Sequence, residues 1–125
     1  MKVRIAENKI RFRLRKHDVA DLHEIGIITQ VLEFGSGMED RLAFTLQSSE
    51  NAEANIQYSM GNTTVLLPVS VAEELNGTDR IGFDFSIDTG KGKLIDVLIE
   101  KDFSCLDGSD GDNADTYANP TQQAC

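Results

Sequence analysis

Alternation of apolar and polar residues at period two constrains this chain more than any other feature. In "IRFRLR", residues 10–15, Ile10, Phe12 and Leu14 alternate with Arg11, Arg13 and Arg15. Successive side chains of a β-strand point to opposite faces, so such a segment buries one face and exposes the other. Similar β-rich runs, separated by turn signals rich in Gly, Asn and Ser, occur at 3–7, 27–34, 41–47, 55–60, 63–69, 81–88 and 94–103. The pattern predicts about eight strands, and clean alternation is typical of antiparallel sheets.

Two short segments break this alternation. "HDVADLHEIG" at 17–26 spaces its apolar residues at helical intervals and ends on Gly26. "SVAEELNG" at 70–77 carries Ser70 and, three residues on, Glu73, the spacing of a capping box. The predicted order is two strands, a helix, four strands, a helix and two strands. This order predicts an α+β domain with a strongly curved, mostly antiparallel sheet of about eight strands, curved enough to approach a barrel.

Length and pattern together favour one domain. The chain has 125 residues, and no internal repeat is visible in it. We expect residues 1–103 to form the domain and residues 104–125 to form an acidic tail that packs partly on it. The apolar side of the alternation predicts the core, namely Val3, Ile5, Ile10, Phe12, Leu14, Leu42, Phe44, Leu46, Ile56, Tyr58, Phe83, Phe85, Val97 and Ile99.

Charge is distributed unevenly along the chain. The formal net charge is −9, yet residues 1–16 carry seven Lys/Arg and one Glu, a net of +6. The overall negative charge disfavours nucleic acid as a partner, because such binding rests on neutralising phosphates. No run approaches the roughly 18 apolar residues of a membrane span, and the basic start lacks the apolar run of a signal peptide. We therefore expect a cytoplasmic protein without a membrane partner.

The basic start places like charges side by side. If residues 2–5 and 10–15 form a hairpin, its polar face is a row of cations, which is unfavourable unless something neutralises it. One possibility is internal pairing with carboxylates on the last two predicted strands, at Asp84, Asp88, Asp96 and Glu100. The other is an anionic ligand held by guanidinium groups, with Arg4, Arg11, Arg13 and Arg15 as the candidate anion-binding residues.

The stretch "CLDGSDGDNAD" at 105–115 raises the question of a metal site. Its acidic residues lack the ligand spacing and late Glu of a calcium-binding EF-hand loop, so a solvated loop is the favoured interpretation. A looser metal site is the alternative, with candidate ligands Asp107, Asp110, Asp112 and Asp115. Cys105 and Cys125 could be free, paired or metal-bound, and the sequence indicates no cofactor.

No catalytic constellation emerges from the sequence. "IDTG" at 87–90 matches the aspartic-protease triplet, but a glycine-rich turn explains it without chemistry. The leading hypothesis is a non-enzymatic binding or interaction module, monomeric or homodimeric, whose partner is another protein or a small anionic ligand. The alternatives are a binder or hydrolase of a phosphorylated small molecule, loosely similar to triphosphate-tunnel proteins, and the metal-binding C-terminal loop.

Both ends of the chain resemble one group of proteins. "NKIRFRL" at 8–14, "LIEKDFSCL" at 98–106 and "DTYANP" at 115–120 resemble small bacterial proteins of unknown function. The resemblance implies no activity. It does imply that Lys101, Asp102, Phe103, Cys105 and Leu106 belong to the domain and that Asn119 and Pro120 form an ordered stop.

Overall fold

The computed structural model describes residues 1–104 and 114–118. The chain forms eight strands and two helices in this part, in the predicted order. Their bounds are β1 Lys2–Ala6, β2 Lys9–Leu14, α1 Lys16–Glu24, β3 Ile27–Glu33, β4 Arg41–Ser49, β5 Asn55–Ser59, β6 Asn62–Pro68, α2 Val69–Gly77, β7 Gly82–Asp88 and β8 Leu94–Lys101.

The strands form two four-stranded mixed sheets. The first sheet has the order β1-β2-β8-β7, and the second has the order β3-β4-β6-β5. The outer pairs of each sheet are antiparallel hairpins, whereas the central pairs, β2 with β8 and β4 with β6, are parallel. The α+β class is therefore confirmed, but a single eight-stranded sheet is wrong, and the described residues form no closed barrel.

The same arrangement occurs twice. Strands β1 to β4 with α1, and strands β5 to β8 with α2, have the same order of two strands, a helix and two strands. In the first sheet Phe12 pairs with Ile99, and in the second Val65 pairs with Leu46. Val65 follows Phe12, and Ile99 follows Leu46, by the same 53 positions, so the central strand pairs of the two sheets share one register. The chain is thus a structural repeat, each half contributing one hairpin to each sheet.

The turns inside the hairpins repeat as well. Glu7 and Asn8 join β1 to β2 with φ angles of 52° and 62°, and Met60 and Gly61 join β5 to β6 with 48° and 82°. Positive φ at both central residues is the geometry of the type I′ turn, whose twist matches the flanking strands. Gly61 also passes close to the carbonyl oxygen of Arg41, where a Cβ would lie 2.8 Å away.

One apolar core joins both sheets and both helices. The helices contact each other and contribute Val19, Leu22, Val71 and Leu75 to it. The strands contribute buried residues from every central strand, namely Ile10, Phe12, Leu14, Leu46, Val65, Leu67, Val97 and Ile99. Burying a side chain of this size is worth about 1.5–3 kcal/mol, so this set of residues supplies much of the driving force for folding.

The prediction of the core is wrong at two residues, which occupy equivalent positions in the two halves of the repeat. Ile5 is 61% exposed and Tyr58 is 71% exposed. They lie 53 positions apart, each near the turn of a strand at the edge of its sheet in the described part of the chain. Of the other predicted core residues, Ile10, Phe12, Leu14, Leu46, Val97 and Ile99 are buried, while Val3, Leu42, Phe44, Ile56, Phe83 and Phe85 are partly buried.

The helix boundaries refine the expected ones. α1 ends at Glu24, and Gly26 follows it with a φ of +90°. α2 begins at Val69 with Pro68 before it, so Ser70 lies inside the first turn and the expected capping box is absent. No helix in residues 1–104 or 114–118 is long and apolar enough to cross a membrane.

Candidate functional site

The outer surface of the first sheet, which we call the charged face, separates two kinds of charge. One row across the sheet runs from Arg4 through Arg11 and Leu98 to Asp84. The cations stand on β1 and β2 and the carboxylates on β7 and β8, because the parallel pairing of β2 with β8 joins a basic hairpin to an acidic one. The charged face comprises Lys2, Arg4, Lys9, Arg11, Arg13, Asp84, Asp88, Asp96 and Glu100.

Internal ion pairs neutralise part of this face. The Arg11 guanidinium contacts the Glu100 carboxylate across the β2–β8 pair. Arg13 Nη2 lies 3.6 Å from Oδ1 of Asp102, and Lys2 Nζ lies 3.1 Å from its Oδ2. Asp102 follows the last strand and is fully buried. Its buried carboxylate therefore meets two cations that stay partly exposed to solvent.

The cations near the first turn have no such partner. A groove of about 250 Å³ is lined by Arg4, Ala6, Lys9, Arg11, Leu98 and Glu100. Arg4 and Lys9 are exposed, and within residues 1–104 and 114–118 no carboxylate lies within 4.0 Å of either side chain. The groove thus presents two cations without an ion pair in the described residues, Lys9 with Asp96 opposite it in the strand register, beside the Arg11–Glu100 pair. These donors suit a phosphate or carboxylate group.

Of the four arginines predicted to bind an anion, Arg15 lies outside the charged face. It follows the end of β2 and immediately precedes α1. Its backbone N–H donates to Oδ2 of Asp18 at 2.8 Å, which satisfies a backbone donor at the beginning of the helix. The structure therefore brings three of the four predicted arginines, Arg4, Arg11 and Arg13, onto one face and places Arg15 at a helix end.

Asp115 is the one predicted metal ligand in the described part of the chain. Its backbone oxygen accepts a hydrogen bond from Lys16 N at 3.0 Å, and its Oδ2 accepts one from His17 N at 3.2 Å. The side chains of His17 and Asp115 also contact each other, and His17 Nε2 lies 3.3 Å from Oδ1 of Asp18. Asp115 therefore caps α1 from a distant part of the sequence and satisfies two of its unpaired N–H groups. These hydrogen bonds from His17 hold the pKa of Asp115 below its usual value.

The other candidate metal ligands, Asp107, Asp110 and Asp112, lie outside the described residues. Cys105, Cys125, Asn119 and Pro120 do so too. Among residues 1–104 and 114–118, no group of three or more His, Cys, Asp or Glu side chains could hold a metal ion. The metal site in the C-terminal loop stays a prediction.

Tyr117 attaches the C-terminal segment to the end of the last strand. Its N–H donates to the Asp102 carbonyl oxygen at 2.9 Å, and Ser104 N donates to the Tyr117 oxygen at 2.7 Å. The ring packs edge-on against Phe103, with 6.0 Å between centroids, and Lys101 Nζ lies 4.9 Å from its centre. Burial raises the pKa of the Tyr117 hydroxyl. Lys101 and Asp102, which the resemblance places in the domain, are buried beneath this segment.

The second sheet carries the same backbone without these charges. By the 53-residue offset, Arg4 corresponds to Gln57 and Arg11 to Thr64. The remaining cations, Lys2, Lys9 and Arg13, correspond to Asn55, Asn62 and Leu66, and the carboxylates of Asp96 and Glu100 correspond to Ala43 and Gln47. Thr29 and Thr45 share a hydrogen bond of 2.9 Å on this face, and its one charged pair on β3 and β4 is Glu33 with Arg41. Strand pairing in this fold is therefore compatible with neutral residues at the positions of Arg4, Lys9 and Arg11.

A larger, shallower groove lies at the edge of β7. It has a volume of about 980 Å³ and is lined by residues 51–55 and 85–88. Its charged groups are carboxylates, Glu53 and Asp88, and it contains no cation. It therefore offers no convergent set of donors comparable to the basic groove.

Fold and surface together define an α+β domain with a duplicated two-sheet architecture and a single charged face. The chain belongs to DUF7009, a family of unknown function, whose model matches residues 1–121. No curated protein and no solved structure is significantly similar to it.

Proposed function

We propose that this protein is a non-enzymatic binding module that recognises an anionic group, phosphate or carboxylate, in the basic groove of the charged face. Arg4 and Lys9 supply uncompensated positive charge, and Arg11 is held in place by Glu100. The observation that carries the proposal is the pair of exposed, unpartnered cations that converge on one groove within the described chain.

The duplicated fold supports a functional origin for these charges. The equivalent strands of the second sheet pair in the same register with Gln57, Asn62 and Thr64 in place of Arg4, Lys9 and Arg11. Strand pairing therefore does not require cations at the positions of Arg4, Lys9 and Arg11. Rows of like charge also oppose strand pairing, so their retention on the first hairpin favours a role in binding.

The groove favours binding over chemistry. The carboxylate that lines it, Glu100, is engaged by Arg11, and the remaining lining side chains are Ala6 and Leu98. An arginine and a lysine attract an anion electrostatically, while the adjacent guanidinium of Arg11 offers a planar pair of donors. Such a site holds an anionic group, and the carboxylate in its lining is already engaged.

Thermal unfolding with phosphate and tripolyphosphate at constant ionic strength tests the proposal. A ligand that binds only the folded state at ten times its Kd stabilises by about 1.4 kcal/mol, a rise in Tm of about 4–8 °C for a domain of this size. We expect that rise with the wild-type chain and its loss in the double variant Arg4→Gln/Lys9→Gln.

The matched control is Lys91→Gln/Lys93→Gln, which removes the same charge from the exposed β7–β8 turn. It separates a specific site from a general effect of net charge on anion affinity. An equal loss of the Tm rise in both double variants, or no rise with any anion in the wild-type chain, contradicts the proposal.

A further inference from the structure

Strand β1 is an open edge of the first sheet. It pairs with β2, and no other strand of the described chain pairs with it. Because the turn at Glu7 and Asn8 has two residues, Ala6 and Lys9 form the first hydrogen-bonded pair of the hairpin. Hydrogen-bonded and non-hydrogen-bonded pairs alternate along an antiparallel hairpin, so Val3 and Ile5 belong to non-hydrogen-bonded pairs. Their backbone N–H and C=O groups therefore point away from β2. These groups are a template for one more strand.

The same edge carries positive charge at alternate positions. Lys2 and Arg4 lie on one face of β1, about 6.8 Å apart for two residues of extended chain. Arg11, which pairs with Arg4, and Lys9 extend this charge onto the neighbouring strand. A strand laid beside β1 would place every second side chain next to these cations.

The other three edges differ in charge. On the outward faces, β7 carries Asp84 and Asp88, whereas β5 carries Asn55, Gln57 and Ser59. The outward side chains of β3 are Ile27, Thr29, Val31 and Glu33, so its charge is negative. The combination of free backbone groups and alternating cations therefore belongs to β1.

We propose that the partner of this protein is an extended acidic peptide segment that adds as a strand to β1, with carboxylates at alternate positions over Lys2 and Arg4. This inference rests on the proposed function and names its ligand class. Backbone hydrogen bonds to Val3 and Ile5 supply affinity, and the cations supply specificity, as in other strand-addition complexes.

A second copy of the chain is a poorer occupant of this edge. Antiparallel pairing of two β1 strands would bring Lys2 and Arg4 of one copy against the same cations of the other, and like charges directly opposite are destabilising. Charged residues on edges also serve to block such self-association. An acidic strand satisfies the charge and the free backbone groups together.

The test uses the full chain and a synthetic peptide, acetylated and amidated, of sequence Thr-Glu-Val-Glu-Thr-Glu-Val. Its Gln-for-Glu analogue is the peptide control. We expect the acidic peptide to slow hydrogen exchange of the Val3 and Ile5 amides, and the Gln analogue to bind at least tenfold more weakly. The variant Ile5→Pro removes one outward N–H without touching a β1–β2 hydrogen bond, and we expect it to weaken peptide binding at least tenfold.

The repeat provides the matched control, because Tyr58→Pro makes the same change at the equivalent position of the neutral edge strand β5. We expect it to leave peptide affinity unchanged. If Ile5→Pro does not fold, exchange of Val3 and Ile5 in the wild-type chain decides the question.

Three outcomes overturn the inference. If the peptide binds and Arg4→Gln weakens it, but neither amide is protected and Ile5→Pro binds normally, strand addition is wrong and anion binding stands. If Val3 and Ile5 are protected without peptide, in proportion to protein concentration, a second copy occupies the edge. If neither phosphate nor peptide affinity depends on Arg4, the proposed function fails as well.

Discussion

The buried carboxylate of Asp102 should make the removal of cations costly. Asp102 has 1% of its side chain exposed, whereas Lys2 has 44% and Arg13 has 23%. The double variant Lys2→Met/Arg13→Met leaves this carboxylate in a closed site without a cation, which costs about 3–5 kcal/mol of unfolding free energy. Against a typical total of about 5–15 kcal/mol, such a loss brings the domain close to unfolding.

Removing the anion should cost less than removing both cations. In Asp102→Asn the ammonium of Lys2 turns to water and Arg13 remains partly hydrated, so we expect a loss of about 1–3 kcal/mol. The triple variant, with all three groups neutral, contains no uncompensated charge. It should therefore be at least about 1 kcal/mol more stable than the double variant.

Urea unfolding at neutral pH, followed by circular dichroism, measures these differences, with the slope m checked for constancy. The control is Arg4→Met/Lys9→Met, which removes two cations of the same face that have no buried partner, with an expected change within about 0.5 kcal/mol. A triple variant as unstable as the double variant would refute the reasoning, because the loss would then not arise from an uncompensated buried charge.

Three further predictions concern the cap, the turns and the duplication. Because His17 lowers the pKa of Asp115 from its ordinary 3.8, the stability that this contact contributes is present above pH 3.8 and is lost as pH falls through the lowered pKa. The difference in unfolding free energy between wild type and Asp115→Asn should therefore shrink below that pH. Gly90→Ala should cost about 1–2 kcal/mol for its positive φ, and Gly61→Ala at least about 1 kcal/mol more because its Cβ meets a carbonyl oxygen, which chemical unfolding of both variants would show. Fragments made by cutting the chain in the 50–54 connection should regain the native circular dichroism spectrum only when mixed, and a fragment folded by itself would contradict the shared-sheet arrangement.

The strands could be predicted from the sequence, but their partners could not. Alternation depends on one face being buried, so "IRFRLR" at 10–15 predicts both a strand, observed at Lys9–Leu14, and its inner residues. It does not specify which strand lies alongside. The partner of Phe12 is Ile99, which is distant in sequence, and the choice depends on the packing of the whole domain. The expectation of one continuous sheet failed for this reason.

The repeat is not visible in the sequence because its two halves share the alternation of apolar and polar residues but few identical residues. Leu14 and Leu67 are identical and buried, but Phe12 corresponds to Val65, and the polar Arg11 corresponds to Thr64. A duplicated fold needs only apolar residues at inner positions, so its outer positions are free to diverge. The two halves correspond through the pairing of β2 with β8 and of β6 with β4, which the sequence does not reveal.

The candidate site was predictable in part. Alternation placed Arg4 on the polar face of the first strand and Arg11 and Arg13 on that of the second, and the hairpin joins these two faces because Arg4 pairs with Arg11. The role of Asp102 could not be inferred, because a carboxylate after the end of a strand ordinarily faces solvent. The parallel register of β2 and β8 was the missing information, since it carries Asp102 to the side of Arg13.

The interleaving of hairpins has a consequence for the order of events as the chain is synthesised. The second sheet uses residues 27–68, a continuous stretch that a ribosome releases early. The first sheet needs β2 and β8, whose paired residues are separated by nearly the whole domain, as with Lys9 and Asp96. The β1–β2 hairpin, which is synthesised before the other strands, can therefore pair with β8 only after β8 has been synthesised. Closing so long a loop slows folding. The first hairpin, with its exposed row of cations, spends that interval without its β8 partner, and like charges oppose its pairing with another copy of itself.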